Sequence, residues 1–136
     1  MTSTVVYEEN LRTICTHVKS GTSIETDAPP DNQGKGERFS PTDLVATALA
    51  GCMLTIMGIK ARDMKVDLAG VKVEVEKIME SHPRRIGGIN LTFHFPDGFT
   101  ATDKEKKILE NAAMTCPVFY SINPEIKVNV SFNLFG

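Results

Sequence analysis

The chain has 136 residues, enough for one substantial core but short for two. Its formal net charge is −2 and its Lys and Arg residues are spread along the chain, so nothing points to a nucleic acid or another polyanion as partner. Its three cysteines, an odd number without CxxC spacing, do not make a disulfide scaffold, and His17, His82 and His94 lie too far apart to suggest a zinc site.

The N-terminus alternates and carries Glu8 and Glu9 where a secretory signal would have a basic stretch and an apolar run, so the cytoplasm is the expected compartment. Thr4–Tyr7, Leu11–Val18 and Ser23–Thr26 are rich in β-branched residues and are separated by turn signals at Glu8-Glu9-Asn10 and Ser20-Gly21, which predicts three strands. Strand alternation puts Cys15 on the face away from Arg12, as a small half-buried residue. Asp27–Phe39, with Pro29-Pro30, Asp31-Asn32 and Gly34-Lys35-Gly36, reads as a loop. It lacks the GxxxxGK[ST] spacing of a phosphate-binding P-loop, although a basic loop before a helix N-terminus could receive an anionic or polar ligand.

Ser40 to Arg62 is the organising stretch. Ser40 is a predicted N-cap, Pro41 the first helical residue, and Asp43 stands at the capping-box position. From Leu44 to Ile59 almost every residue is apolar or small, so the helix is expected to be buried on most sides. Its length nominally suits a bilayer, but Thr42, Asp43, Thr47 and Thr55 interrupt it, and a central core helix is the reading.

Val71, Val73 and Val75 alternate with charged residues, and Ile89, Leu91, Phe93 and Phe95 alternate with polar ones, which predicts two more half-buried strands separated by breaks at Ser81-His82-Pro83 and Gly87-Gly88. His94 falls on the polar face and reads as solvated. Thr102-Asp103-Lys104-Glu105 is a capping box opening a second helix, whose apolar side carries Ile108, Leu109, Ala112 and Ala113. Pro117 then starts a short helix, placing Cys116 at a helix N-terminus, where free N–H groups would lower its pKa. Asn123-Pro124 ends that helix, and Ile126, Val128, Val130, Phe132 and Leu134 alternate as a final strand. The expected fold is a single α+β domain over residues 1–136, with an antiparallel sheet and a helical layer.

Cys52 and Cys116, both on helices in apolar surroundings, can be read from the residues alone as two core cysteines or as a dithiol that cycles through sulfenic acid and disulfide. The run Ser40-Pro41-Thr42-Asp43-Leu44 to Ala50-Gly51-Cys52, followed by Cys116-Pro117-Val118, resembles the OsmC/Ohr family of thiol-dependent hydroperoxide reductases, in its less characterised OsmC-like branch. The resemblance covers essentially the whole chain. It implies an OsmC-like fold, a peroxide-attacking Cys52, a resolving Cys116, an external dithiol reductant and no cofactor. It also implies an intertwined homodimer with two equivalent sites at the subunit interface, which the all-round apolar helix suits. An apolar pocket of Leu49, Met53, Met57 and Phe119 would favour an organic hydroperoxide over hydrogen peroxide.

Peroxidase members of that family carry an acidic residue ten positions before the first cysteine, paired with an arginine. Here that position is Thr42 and the carboxylate is Asp43. In an ideal helix Asp43 lies opposite Cys52 and about 13 Å away along the axis, so it would assist only through a distorted first turn or across the dimer. Its other reading is the capping box. Arg38 is the candidate cation and Arg12 the second candidate. The alternative function is a module that binds an apolar or thiol-reactive small molecule in the dimer cleft without turnover.

Overall fold

The computed structural model describes residues 1–133, and Leu134 of the expected last strand lies outside them. The described residues form two compact units, Met1–Val45 and a second that begins at Ala46. The fold class is α+β, as expected.

The first unit is an antiparallel meander of β1 (Ser3–Tyr7), β2 (Arg12–His17) and β3 (Ser23–Asp27) in the order β1-β2-β3. Asn10 and Leu11, at φ 62° and 63°, close the first turn, and two left-handed residues in succession match the twist of the flanking strands. Val5, Cys15 and Ile24 share one cross-strand row, while Arg12 stands opposite Asp27. After β3 the chain makes a short 3₁₀ turn at Pro30–Asn32, and Gly36 N–H returns to the Ala28 carbonyl at 3.1 Å. Gly34 is obligatory in that fold-back, because a Cβ there would lie 1.8 Å from the Ala28 oxygen. Asp27 N–H donates to the Phe39 carbonyl at 3.1 Å, tying the far end of the loop to β3.

Helix α1 (Pro41–Met64) carries a buried stripe of Ala46, Leu49, Ala50, Met53, Met57 and Ala61, at the three- and four-residue steps that put side chains on one face. Burial on most sides is not what a single chain shows: Val45 and Ile59 are 39% and 50% exposed. The reason is supply, since the core cluster offers partners along one side of the helix. By length and composition α1 could cross a membrane, but its buried stripe makes it a core helix.

The second unit contains a mixed sheet in the order β4-β5-β6, formed by β4 (Lys72–Glu80), β5 (Arg85–His94) and β6 (Lys127–Asn133). β4 and β5 pair antiparallel, whereas β5 and β6 pair parallel. Side-chain alternation does not encode strand direction; the long connection through α2 (Asp103–Ala113) and α3 (Pro117–Ser121) is what allows the parallel return. β5 also begins earlier than expected, running through Gly87 and Gly88, with a register shift at Ile78/Met79. Ile89, Leu91 and Phe93 of β5 and Phe95 just after it join the α1 stripe and Leu109 and Ala113 of α2 in one core. Phe93 stacks on Phe132 of β6 with ring centroids 4.7 Å apart. His94 is half-buried, its Nε2 3.6 Å from Glu74 and its Nδ1 3.5 Å from Asn133. The capping box of α2 is formed as read, with Glu105 N–H to Thr102 Oγ1 at 3.1 Å and Thr102 N–H to Glu105 Oε1 at 2.9 Å.

Candidate thiol site

In the second unit, Cys52 lies on α1 beside the buried stripe, half-buried against the core. Cys116 is fully buried. It is the N-cap of α3, with extended backbone and Pro117 at the first helical position, so the break after α2 and the proline together set its place. Its Sγ accepts the Phe119 N–H at 3.3 Å, a bond in which sulfur does what a serine oxygen does in an ordinary cap. Cys52 packs against the same core cluster that holds Cys116, so the two helix-borne cysteines share one apolar region.

A helix N-terminus predicts a lowered Cys116 pKa, and the structure reverses the sign. Burial pushes the Cys116 thiol up; the Phe119 and Val118 N–H groups pull it down, and the neighbouring Cys52 pushes it up further. A five-residue helix offers only a few N–H groups, and complete removal of the sulfur from water outweighs them. At neutral pH Cys116 is a thiol.

The expected apolar lining divides in two. Leu49, Met53 and Met57 are fully buried core residues. Phe119 lines a cavity of about 280 Å³ with Tyr120, Ile122, Asn123, Pro124, Ile126 and Val128. The Cys116 cap and this cavity therefore share Phe119, the first through its N–H.

In the first unit, Asp43 forms the capping box with Ser40: Asp43 N–H donates to Ser40 Oγ at 3.1 Å and Ser40 N–H to Asp43 Oδ2 at 3.0 Å. Thr42 Oγ1 lies 3.2 Å from Ser40 Oγ. Arg38 is half exposed; its Nε is 3.4 Å from Glu25 and its Nη1 donates to the Glu37 carbonyl at 3.0 Å. Arg12 is more firmly held, giving two bonds to Asp27 and one to Glu37 at 3.1 Å. Those bonds, above all the two to Asp27, raise the Arg12 pKa further and hold the Asp27 carboxyl below the usual range, against the opposing effect of burial.

Asp27 is the residue that sequence reasoning passed over. It is buried, accepts Arg12 twice and receives the Glu37 N–H at 3.1 Å, so it joins β2, β3 and the loop. An acid at a strand end carries no signal of this by itself; the strand register that places it opposite Arg12 does. Arg12 and Lys35 also line a polar cleft of about 540 Å³ with Tyr7, Glu8, Glu9 and Asn10. Among the described residues, no group of three or more His, Cys, Asp or Glu side chains comes together in a way that could hold a metal.

Comparison with known proteins bears on this arrangement. A family model described as OsmC-like protein matches residues 34–131. The chain is similar to a Psychrobacter arcticus 273-4 protein, crystallised as a candidate osmotic stress induced and detoxification response protein. The two are 52% identical over 97% of this chain and 95% of that one, with a TM-score of 0.92. The fold is shared with the organic hydroperoxide resistance protein OsmC of Legionella pneumophila, at 19% identity over 97% of this chain and 96% of that one and a TM-score of 0.73. It is shared as well with the organic hydroperoxide resistance protein OhrB of Bacillus subtilis, at 18% identity over 97% and 98% and a TM-score of 0.66. No curated protein matches the chain. With most of its length matched by the family model and a 52% identical relative along nearly all of it, the chain belongs to the OsmC-like protein family.

Proposed function

We propose that this protein reduces organic hydroperoxides with the thiols of Cys52 and Cys116. The Cys52 thiolate attacks the O–O bond, takes one oxygen as a sulfenic acid and releases the alcohol. Cys116 then displaces that oxygen as water, forming a Cys52–Cys116 disulfide that an external dithiol reductant reopens. The observation that carries this reading is that Cys52 and Cys116, from distant parts of the chain, pack in one apolar core. The Legionella and Bacillus proteins, named for organic hydroperoxide resistance, are consistent with it.

The same reading takes the working unit to be a cytoplasmic homodimer. Val45 and Ile59 on α1, and Val5, Val6 and Tyr7 on β1, are apolar or aromatic and exposed in one chain, and a second copy would cover such surface. Arg38 and Asp43 serve as positioning residues, Asp43 through the start of α1 and Arg38 through the loop leading into it. The test is turnover of an alkyl hydroperoxide with a dithiol reductant. Wild-type protein should consume peroxide and Cys52→Ser should not; turnover that survives Cys52→Ser removes Cys52 as the nucleophile.

Binding without turnover is the second reading, favoured by the apolar cavity beside Phe119. It requires an apolar ligand to bind to a Cys52→Ser, Cys116→Ser protein as tightly as to wild type, together with no peroxide consumption by the latter.

A further inference from the structure

The geometry points to a second role for Cys116, resting on the hydroperoxide reading: we propose that it is the general acid of the first step, giving its thiol proton to the departing alkoxide before it resolves the sulfenic acid. Attack by the Cys52 thiolate breaks the O–O bond heterolytically. One oxygen goes to sulfur as S–OH and the other leaves as an alkoxide, which must be protonated to become the alcohol. Alkoxides are poor leaving groups in an apolar pocket, so a proton donor beside the attacking sulfur lowers the barrier.

Cys116 has the attributes of that donor. It shares one apolar core cluster with Cys52, and its burial keeps the proton on sulfur at neutral pH. The Phe119 N–H already points at Cys116 Sγ at 3.3 Å, so the thiolate left after proton transfer is met by a donor that needs no rearrangement. The proton balance then closes over the whole cycle. Cys116 gives its proton to the alkoxide, and the resulting Cys116 thiolate is the species that attacks the Cys52 sulfenic sulfur. The S–S bond forms as the S–O bond breaks, and the hydroxide expelled takes a proton from solvent and leaves as water. One thiol thus supplies the acid of the first step and, by doing so, becomes the nucleophile of the second.

Leaving-group chemistry tests this. A peracid releases a carboxylate, which needs no proton, whereas tert-butyl hydroperoxide releases an alkoxide. Single-turnover formation of the Cys52 sulfenic acid, trapped with dimedone and read by mass spectrometry on the Cys52 peptide, is measured with both oxidants. Wild type is compared with Cys116→Ala and with Cys116→Ser, which keeps an oxygen cap for α3 and guards against loss of folding. Loss of the acid should slow the tert-butyl hydroperoxide reaction by about a hundredfold while the peracid reaction changes by no more than about threefold. Equal slowing with both oxidants, or slowing with neither, overturns the role. If wild type itself forms no sulfenic acid with either oxidant, the hydroperoxide reading fails instead, so the two failures are distinct.

Discussion

Arg12 grips Asp27 across facing positions of β2 and β3, Nε to Oδ1 at 2.7 Å and Nη2 to Oδ2 at 2.8 Å. A forked guanidinium on a buried carboxylate is a specific geometry that lysine cannot reproduce. Because Asp27 also takes the Glu37 N–H, this pair holds the loop that leads into α1.

The pair sets the acid stability of the first unit. The folded-state pKa of Asp27 is depressed, so its contribution is present in full above the unfolded carboxyl value of about 4 and is lost as pH falls through the lower folded value. Urea unfolding of wild type and Asp27→Asn at several pH values should show a wild-type advantage at pH 7 that shrinks below about pH 4. An advantage that stays constant down to pH 2 contradicts this assignment.

Ser40 and Asp43 satisfy each other's backbone N–H groups at the start of α1. Ser40→Ala should therefore cost about 1 kcal/mol of stability. Asp43→Asn should cost less, because an amide oxygen can still accept the Ser40 N–H, and turnover should change by less than about threefold if Asp43 acts through the cap. A large loss of turnover at unchanged stability would give Asp43 a direct part in the chemistry.

Phe93 is fully buried and stacked on Phe132. Phe93→Ala should destabilise the protein by about 3–5 kcal/mol, the range for removing a large buried ring. Ile59 lies on the same helix as the buried stripe but is half exposed, so its replacement should act differently. Ile59→Glu should leave unfolding of the monomer within about 0.5 kcal/mol of wild type. By light scattering it should shift the mass from two chains toward one at micromolar concentration. Unchanged mass would mean that this part of α1 is not the covered surface.

What was legible in the sequence was local. The Thr102/Glu105 box, the Ser40/Asp43 box and the Cys116-Pro117 helix start are written within a few residues, and all three are formed. The strands of both sheets were legible from alternation, except where Gly87-Gly88 looked like a break and the Ile78/Met79 irregularity absorbs it. What could not be read depended on tertiary placement. The direction of β6, the Asp27 partner of Arg12 and the upward shift of Cys116 each follow from what packs alongside, which no window of sequence contains. The meeting of Cys52 and Cys116 in one core is of the same kind; the residues alone leave open two core cysteines or a cycling dithiol, and likeness to a family favours the dithiol. Arg38 and Asp43 show the converse, since residue type and position proposed them for chemistry while their visible bonds are those of a loop and a cap.

The disulfide account makes its most direct demand on thiol count. Reduced protein, with three cysteines per chain, is mixed with one equivalent of an alkyl hydroperoxide, and the remaining thiols are titrated and mapped. The expected result is the loss of two thiols per chain, a Cys52–Cys116 disulfide and an unmodified Cys15. Three titratable thiols after the reaction, or a disulfide that engages Cys15 instead, would contradict it.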